Sequence, residues 1–337
     1  MAGIDLSIIW AVIIIFSIMM YVVMDGFDLG IGILFPLVQG RENRSVMMNT
    51  VAPIWDGNET WLVLGGAGLF GAFPLAYSVV LSALYLPLIF MLIGLIFRGV
   101  AFEFRFKVHE GKEGIWDKSF IVGSFLATFC QGVALGTFID GIPVVDQQFA
   151  GGSLDWLNPF PLFCGIGLVA AYALLGSTWL IMKTSGELQA RMRALTPPLV
   201  AAIVGIIAVV SLWTPFTHPS IAARWFTRPN IFWFSPVPIL VLIASYLLFT
   251  SVRKQASDSR PFLMTLVLIF LGYTGLGISI WPFIVPPSVT IWDAASPLSS
   301  QLFLLIGTLF IIPMTLMYTA WGYYVFRGKV ESGEGYH

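Results

Sequence analysis

The chain has 337 residues, of which 58% are hydrophobic and 10% are charged, and its mean hydropathy is +0.88. Soluble domains carry about 25% charged residues, so a chain this apolar must turn much of its outside toward lipid. The formal charge of −1 excludes a basic nucleic-acid-binding surface, and two cysteines and three histidines are too few for a disulfide framework or a dense metal cluster. These numbers predict an all-α polytopic membrane protein and exclude a soluble enzyme, a nucleic-acid binder and a secreted scaffold.

Nine segments are long and apolar enough to cross a bilayer, which takes about 20 residues. In chain order they cover residues 8–29, 55–75, 79–101, 120–138, 159–181, 197–213, 231–250, 262–283 and 301–325. Only a turn at residues 73–78 separates the second segment from the third. The loops are short, so residues 1–337 are predicted to form a single integral membrane domain. The sequence Gly-Arg-Glu at 40–42 is similar to Gly-Glu at 186–187. This similarity is either accidental or the sign of an internal repeat, and a repeat predicts two four-helix units plus a ninth helix.

The positions of Lys and Arg predict the orientation of the chain. If the N-terminus lies outside, 15 of the 17 basic residues fall in inner loops or at inner helix ends, and only Arg224 and Arg228 fall outside. This asymmetry is typical of membrane proteins whose basic loops stay in the cytoplasm, and it predicts a cytoplasmic C-terminus. No Lys or Arg precedes Arg41, so the first span lacks the basic segment of a signal peptide and is predicted to be retained.

Two acids in the first predicted span are candidates for function, because an acid at the centre of a membrane helix costs about 2.5–3.5 kcal/mol on insertion scales. Asp25 and Asp28 are three residues apart and share one helix face. Gly26 and Gly30 form a GxxxG pair that permits close approach of another helix. If the helix continues well past Asp28 the acids are buried, and if it ends before Asp25 they lie in the membrane interface.

The second predicted span opens with a dense polar cluster that contains Trp55, Asp56, Asn58 and Glu59. Asp56 alone is explained as an acid in a first helical turn, where it complements the helix dipole. That explanation does not cover the other three residues, so the cluster and the first-span acids are predicted to form the inner mouth of a proton-uptake path. Arg98, at the inner end of the third span, either extends to the lipid headgroups or pairs with one of these acids.

The histidines and cysteines argue against cofactor ligation by this chain. His109 and His218 fall in predicted loops and His337 is the last residue, so no histidine lies in a span to hold haem iron. Cys130 and Cys164 stand singly in different spans and are predicted to be small buried hydrophobic residues. No metal site is expected.

Three further polar positions have simpler interpretations. Gln131, inside the fourth span, is predicted to bridge helices or to reach a partner subunit. Glu103 and Arg105 are predicted to be the solvated end of the third span. Residues 281–288 break the eighth helix with Trp and Pro, and residues 290–295 are predicted to form an interfacial cap or a docking loop.

Four motifs, in order, resemble subunit II of the cytochrome bd-type quinol oxidases over about residues 5–327. They are Asp25-Gly26-Phe27-Asp28, Trp55-Asp56-Gly57-Asn58-Glu59, the segment 97–105 around Arg98, and Trp281-Pro282-Phe283 with the segment 290–294. Residues 276–282 and the compact length resemble the cyanide-insensitive branch. The resemblance implies a terminal oxidase of the bacterial inner membrane that oxidises quinol, reduces oxygen to water and takes its protons from the cytoplasm.

The resemblance also implies a division of labour between two subunits. Subunit I is expected to carry haems b and haem d and the quinol site, while this chain ligates no haem, supports haem assembly and contributes to proton uptake. The implied proton path includes Asp56 and either Asp25 or Asp28. A structural ubiquinone in this chain and a small single-span subunit are further partners that the resemblance allows, together with lipid and quinol.

Two other functions fit the same residues. A proton-coupled secondary transporter would use buried acids, broken helices and a repeat, and it would move its substrate across liposomes without a partner. A purely structural anchor would tolerate Asp56→Asn with no loss of oxygen consumption by the complex.

Overall fold

The computed structural model describes residues 5–109, 111–255 and 257–331. Its helices are α1 (Leu6–Leu34), α2 (Arg41–Asn49), α3 (Trp55–Ala72), α4 (Pro74–Arg105), α5 (Gly114–Asp140), α6 (Pro159–Lys183), α7 (Gly186–Thr217), α8 (Pro219–Phe226), α9 (Asn230–Phe234), α10 (Pro236–Lys254), α11 (Arg260–Ile280) and α12 (Leu298–Val325). A 3₁₀ turn, Phe35–Leu37, follows α1. Two short antiparallel hairpins pair β1 (Val144–Val145) with β2 (Gln148–Phe149) and β3 (Phe283–Val285) with β4 (Val289–Thr290).

Within the described residues, eight helical segments are long and apolar enough to span a bilayer. The predicted span that is not among these eight is the second, at 55–75, which corresponds to α3; this helix has 18 residues and a length of about 27 Å at 1.5 Å per residue. That length is close to the roughly 30 Å of a bilayer core, but the polar residues in its first two turns lower its mean hydropathy. The fold is therefore a multi-pass helical membrane protein, and the count of nine spans and the orientation stay predictions.

Several helix ends differ from the sequence prediction. α1 continues to Leu34 and α4 to Arg105, so both run past their predicted ends at 29 and 101. Phe73 alone separates α3 from α4. α7 begins at Gly186 rather than at 197, because the prolines expected to start it lie inside the helix. Membrane helices tolerate internal proline where neighbouring groups satisfy the freed carbonyls.

The structure confirms the two four-helix bundles. α1, α3, α4 and α5 form the first bundle, and α6, α7, α10 and α11 form the second with the same set of neighbours. α12 packs outside them against α3 and α1. The bundles meet chiefly where α6 packs on α1 and α5.

Glycines set the crossing of α1 and α6. A Cβ atom added at Gly30 would lie 1.8 Å from the Tyr172 carbonyl oxygen, and one added at Gly176 would lie 2.6 Å from the Gly30 carbonyl carbon. The two helices therefore touch backbone to backbone, as the GxxxG pair predicts. The sequence separation between Gly30 and Gly176 equals the separation between Gly40 and Gly186. Gly40 and Gly186 each follow the first helix of their bundle, and both have a positive φ. The crossing thus relates equivalent positions of the repeat.

One end of the molecule, here called the basic end, contains α2 and the described residues of the loops at 106–113, 255–259 and 326–331. Arg105 was expected at a solvated helix end, and this prediction is wrong: it is 3% exposed, because α2 folds across it. Its Nε donates to Asp117 Oδ1 (2.6 Å) and its Nη1 to Ser45 Oγ (3.0 Å). Glu103 is exposed as expected and pairs with Lys107 at 3.2 Å.

The opposite end of the molecule contains both hairpins and the helices α8 and α9. α11 ends at Ile280, as the Trp and Pro residues after it predict, and the chain then turns through β3 and β4. The Trp292 indole donates to Asp5 Oδ2 (2.7 Å), and this hydrogen bond lowers the pKa of the Asp5 carboxyl. Residues 290–295 therefore contact the start of α1 and cap this end.

Candidate functional site

The site is built around Arg98 of α4, whose side chain is completely buried. Its Nη1 donates to Asp25 Oδ1 of α1, and its Nη2 donates to Glu59 Oε1 of α3. This geometry decides between the two interpretations of Arg98, because the guanidinium pairs with acids and does not extend to the lipid headgroups.

Close packing of α4 on α5 holds Arg98 inside the bundle. A Cβ atom added at Gly123 of α5 would lie 2.8 Å from the Arg98 backbone nitrogen. On the neighbouring turn of α4, the ring of Phe102 stacks on Trp55 with 5.4 Å between ring centroids. Trp55 is the first residue of α3, so this stacking fixes the start of α3 against α4 and places Glu59 one turn later beside the guanidinium.

Asp28 occupies the same buried region and has a different partner. The Asn58 side-chain nitrogen donates to Asp28 Oδ2 (2.8 Å) and to the Met24 carbonyl oxygen (3.3 Å). The Tyr323 hydroxyl of α12 donates to the Asn58 side-chain oxygen (3.0 Å). Since the amide oxygen of Asn58 accepts from Tyr323, its nitrogen is directed toward the carboxyl group.

A second group of polar residues lies next to the acidic one, nearer the N-terminal end of α1. Gln131 of α5 donates to the Tyr21 hydroxyl (2.6 Å) and accepts from the Tyr172 hydroxyl of α6 (3.1 Å). The prediction that Gln131 bridges helices is confirmed. Tyr21 lies one helical turn before Asp25 and interacts with it, so this group continues from the acidic one.

The seven residues singled out from the sequence divide into three sets. The structure brings together Asp25, Asp28, Asn58, Glu59 and Arg98, here called the acidic cluster. Trp55 packs at its rim. Asp56 does not join the cluster: it is exposed in the first turn of α3, as its N-terminal position allows.

Burial differs within the acidic cluster. Asp25 and Asp28 are inaccessible to solvent, whereas the Glu59 side chain is 27% exposed. The interfacial interpretation of the first-span acids is therefore wrong, because α1 continues beyond them into the packed end of the bundle. Asp25 Oδ2, Asp28 Oδ1 and Arg98 Nε are buried without a hydrogen-bond partner among the described residues, so each can form a further hydrogen bond.

Sequence reasoning missed three tyrosines of the site. Tyr21 and Tyr172 lie in apolar spans, and Tyr323 lies in a helix whose aromatic end is typical of a membrane interface. Tyr323 is 265 residues from Asn58 along the chain, and no local pattern predicts their contact. The polar cluster at the start of α3 was the one signal that such a partner was needed.

The histidines lie away from the acidic cluster. His218 Nε2 is 3.2 Å from Asp140 Oδ1 at the opposite end of the molecule, His109 is exposed, and His337 lies outside the described residues. Cys130 and Cys164 are buried and unpaired, as predicted. In the described part of the chain no group of three or more His, Cys, Asp or Glu side chains could hold a metal ion.

The sequence model of the family described as cytochrome bd terminal oxidase subunit II matches residues 6–326. The chain belongs to this family. It is 32% identical to cytochrome bd-I ubiquinol oxidase subunit 2 of Escherichia coli (strain K12), with 96% of this chain and 95% of that protein aligned. It is 30% identical to cytochrome bd ubiquinol oxidase subunit 2 of Bacillus subtilis (strain 168), with 96% and 97% aligned.

A solved structure confirms the fold of the family. The chain resembles one chain in the structure of bd oxidase from Geobacillus thermodenitrificans with a TM-score of 0.78, covering 95% of this chain and 97% of that one. At 15% sequence identity this likeness shows the fold alone. Membership of a subunit II family implies a partner, subunit I, in an oxidoreductase complex.

Proposed function

We propose that this chain is the haem-free subunit II of a bd-type quinol oxidase in the bacterial inner membrane, and that its acidic cluster takes up protons from the cytoplasm. The protons serve the reduction of oxygen to water at haems held by subunit I. Family membership supports the first part and favours it over the proton-coupled transporter. The composition of the acidic cluster supports the second part.

The charge balance of the acidic cluster is the observation that carries this proposal. Three carboxyl groups, of Asp25, Asp28 and Glu59, surround the single guanidinium of Arg98. Uncompensated charge is costly where water is excluded, and one cation balances one carboxylate. The cluster is neutral only when it holds two protons. Buried acids that hold exchangeable protons are typical of proton relays in membrane proteins.

The acids at and near the cluster differ in solvent exposure, and this difference indicates the direction of proton transfer. Asp56 is exposed at the basic end, Glu59 on the next turn is partly exposed, and Asp25 is inaccessible to solvent. Protons from water at the basic end therefore reach Glu59 first and Asp25 and Asp28 after it. With the basic end in the cytoplasm, as the distribution of Lys and Arg predicts, the uptake is from the cytoplasm.

The other expected roles of this chain concern its partners. No described span contains a histidine, so the haem ligands are expected in subunit I, and this chain supports haem assembly by packing against that subunit. A structural ubiquinone and a small single-span subunit stay predictions of the family resemblance.

The test uses the purified two-subunit complex and compares three variants of acids at the basic end. Glu59→Gln should slow oxygen consumption by roughly tenfold or more, because a positioned proton carrier is lost. Asp56→Asn should slow it less, since water can replace an exposed carboxylate. Glu103→Gln is the matched control, because this exposed acid lies outside the cluster, and it should leave the rate unchanged.

The haem spectrum of each variant shows whether the complex has assembled. Slow turnover with an unchanged haem spectrum supports proton uptake through the cluster. A full rate in both Glu59→Gln and Asp56→Asn contradicts it and supports the structural anchor.

A further inference from the structure

A cavity of about 160 Å³ lies at the basic end of the second bundle, far from the acidic cluster. It is lined by the last turns of α10, by Ser257 and by Arg260 at the start of α11. The polar residues around it are Tyr246, Thr250, Ser251, Lys254, Ser257 and Arg260. Cavities of this size accommodate a molecule as large as benzene, so a phosphate group fits.

Two cations at the cavity lack acidic partners in the part of the chain that the structure describes. Among the described residues, neither Lys254 nor Arg260 forms an ion pair with a carboxylate. The nearest acid in sequence, Asp258, is engaged by Arg193 and Lys329. The cavity therefore carries a net positive charge at the level of the membrane surface.

The hydrogen-bond donors of the cavity match an anion. The hydroxyls of Thr250 and Ser251 donate to the carbonyls of the preceding turn of α10, so they are committed to the helix. The Lys254 ammonium, the Arg260 guanidinium and the Tyr246 phenol have no hydrogen-bond partner among the described residues and are available as donors. A guanidinium and an ammonium together suit a phosphate, which the first can bind through two parallel hydrogen bonds.

Two apolar stripes lead away from the cavity along the hairpin of α10 and α11. Ile239, Ile243 and Tyr246 are exposed on one face of α10, and Leu263, Val267 and Phe270 are exposed on one face of α11. Their spacing of three or four residues places each set in one row. Exposed apolar rows at membrane depth are suited to acyl chains. Both rows start next to the cavity that contains the two cations.

We propose that this cavity, the α10–α11 cavity, binds an anionic phospholipid. The phosphate lies between Lys254 and Arg260, and the acyl chains follow the apolar rows of α10 and α11. Basic pockets between membrane helices at a cytoplasmic surface are suited to anionic headgroups, because each nearby Lys or Arg adds to the attraction. The site needs neither the acidic cluster nor the proposed proton path.

Arg253 provides a matched control on the same turn of α10. Its guanidinium lies 4.4 Å from the centre of the Phe249 ring and does not line the cavity. Lys254→Gln with Arg260→Gln removes both cations of the cavity, whereas Arg253→Gln removes one nearby cation outside it. All three residues are exposed, so the complex is expected to assemble in each variant, and the haem spectrum checks this.

The experiment adds phosphatidylglycerol or phosphatidylcholine to the delipidated two-subunit complex in detergent and counts bound lipids by native mass spectrometry. The complex should bind phosphatidylglycerol at this site roughly tenfold or more tightly than the double variant does. Arg253→Gln should bind as the unchanged complex does. Phosphatidylcholine should bind weakly, and millimolar inorganic phosphate should not displace the bound lipid.

Three outcomes overturn the proposal. If the double variant keeps the same affinity for phosphatidylglycerol, the two cations do not recognise the lipid. If phosphatidylcholine binds equally well, the cavity does not recognise the negative charge of the lipid headgroup. If inorganic phosphate displaces the lipid, the cavity is a site for free anions and the apolar rows do not contribute to the affinity for lipid.

Discussion

The two four-helix bundles share an arrangement of helices and differ in what they bury. The first encloses the acidic cluster around Arg98. The second encloses apolar side chains, among them Leu174, Val200, Ile203, Leu248 and Leu268. None of the described acids of α6, α7, α10 and α11 is buried. If Gly30 is aligned with Gly176, the positions of Asp25 and Asp28 are taken by Ala171 and Leu174.

The bundles also differ in how the chain enters the second helix of each. In the first bundle, residues 50–54 break the helix, so α3 begins with its polar cluster beside Arg98. In the second bundle, α7 continues unbroken from Gly186 past Pro197 and Pro198. The comparison teaches that the scaffold does not determine function. A helix break and four charged residues distinguish the buried acidic cluster of the first bundle from the apolar interior of the second.

Removing the cation should have the largest effect on the first bundle. Arg98→Met leaves Asp25 and Glu59 without their partner in a region closed to water. Breaking a buried ion pair in this way costs about 3–5 kcal/mol, so the yield of haem-loaded complex should fall severely. The measurement is haem absorbance per milligram of purified membrane protein. Lys107→Met, which removes an exposed cation just after the end of α4, should retain the yield of the unchanged chain.

A substitution at the crossing tests whether the bundles are joined as a rigid pair. Gly30→Ala brings a Cβ atom against backbone atoms of α6, which cannot move aside as a side chain can. Overpacking of this kind costs about 1–3 kcal/mol and occasionally more, so the melting temperature of the complex should fall. Gly66→Ala on the open face of α3 is the control, since nothing lies within 4 Å of the added atom. Equal melting temperatures for both variants would contradict the close crossing.

The contribution of α12 to the acidic cluster is tested by Tyr323→Phe. This change keeps the ring contacts with Phe27 and Trp179 but removes the hydroxyl that orients Asn58. Loss of one hydrogen bond is worth about 1 kcal/mol. Oxygen consumption should therefore slow several-fold with the haem spectrum unchanged, and its dependence on pH should shift. An unchanged pH profile would show that Asn58 holds its orientation without Tyr323.

The smallest expected effect concerns the basic end of the second bundle, where Asp258 binds Lys329 of the C-terminal segment at 2.6 Å. The hydrogen bond from Lys329 lowers the pKa of the Asp258 carboxyl in the folded chain. The contact therefore stabilises fully above the unfolded pKa of about 3.9, and the stabilisation is lost as the pH falls through the lower, folded pKa.

Lys329→Met should accordingly lower the melting temperature slightly at pH 7, and it leaves the ion pair of Asp258 with Arg193 in place. The pair is partly exposed, so the contribution is at most about 1 kcal/mol after screening by solvent. The difference between the two proteins should shrink as the pH is lowered below 4. A difference that instead grows in acid would mean that the sign of the linkage is wrong.

The sequence predicts the bundles and most of the acidic cluster because their signals are local. Span length, the distribution of Lys and Arg, the GxxxG pair and the dense polar start of α3 all lie within short segments. The burial of Asp25 and Asp28 was an open question, since it depends on how far α1 continues, and apolar residues beyond the acids favour both a longer helix and a buried loop.

The contacts between distant segments could not be predicted in this way. Arg98 fits both a headgroup contact and an ion pair until the positions of α1 and α3 are known. Tyr323 reaches Asn58 from the other end of the chain. Arg105 is buried because α2 folds over it, and a short amphipathic helix gives no sequence signal of where it lies. Pro197 misled the prediction of α7 because proline signals a helix start in soluble proteins more strongly than in membranes.

Proton uptake by the complex in a single turnover tests the central claim most directly. An oxygen pulse is given to the reduced complex with a pH-sensitive dye on its cytoplasmic side, and Asp25→Asn is compared with Glu103→Gln. The account predicts that Asp25→Asn delays proton uptake at least severalfold while the haem spectrum stays unchanged, and that Glu103→Gln behaves as the unchanged complex does. Uptake by Asp25→Asn at the unchanged rate would show that protons reach the oxygen-reducing haem without passing through Asp25, which contradicts the proposed path.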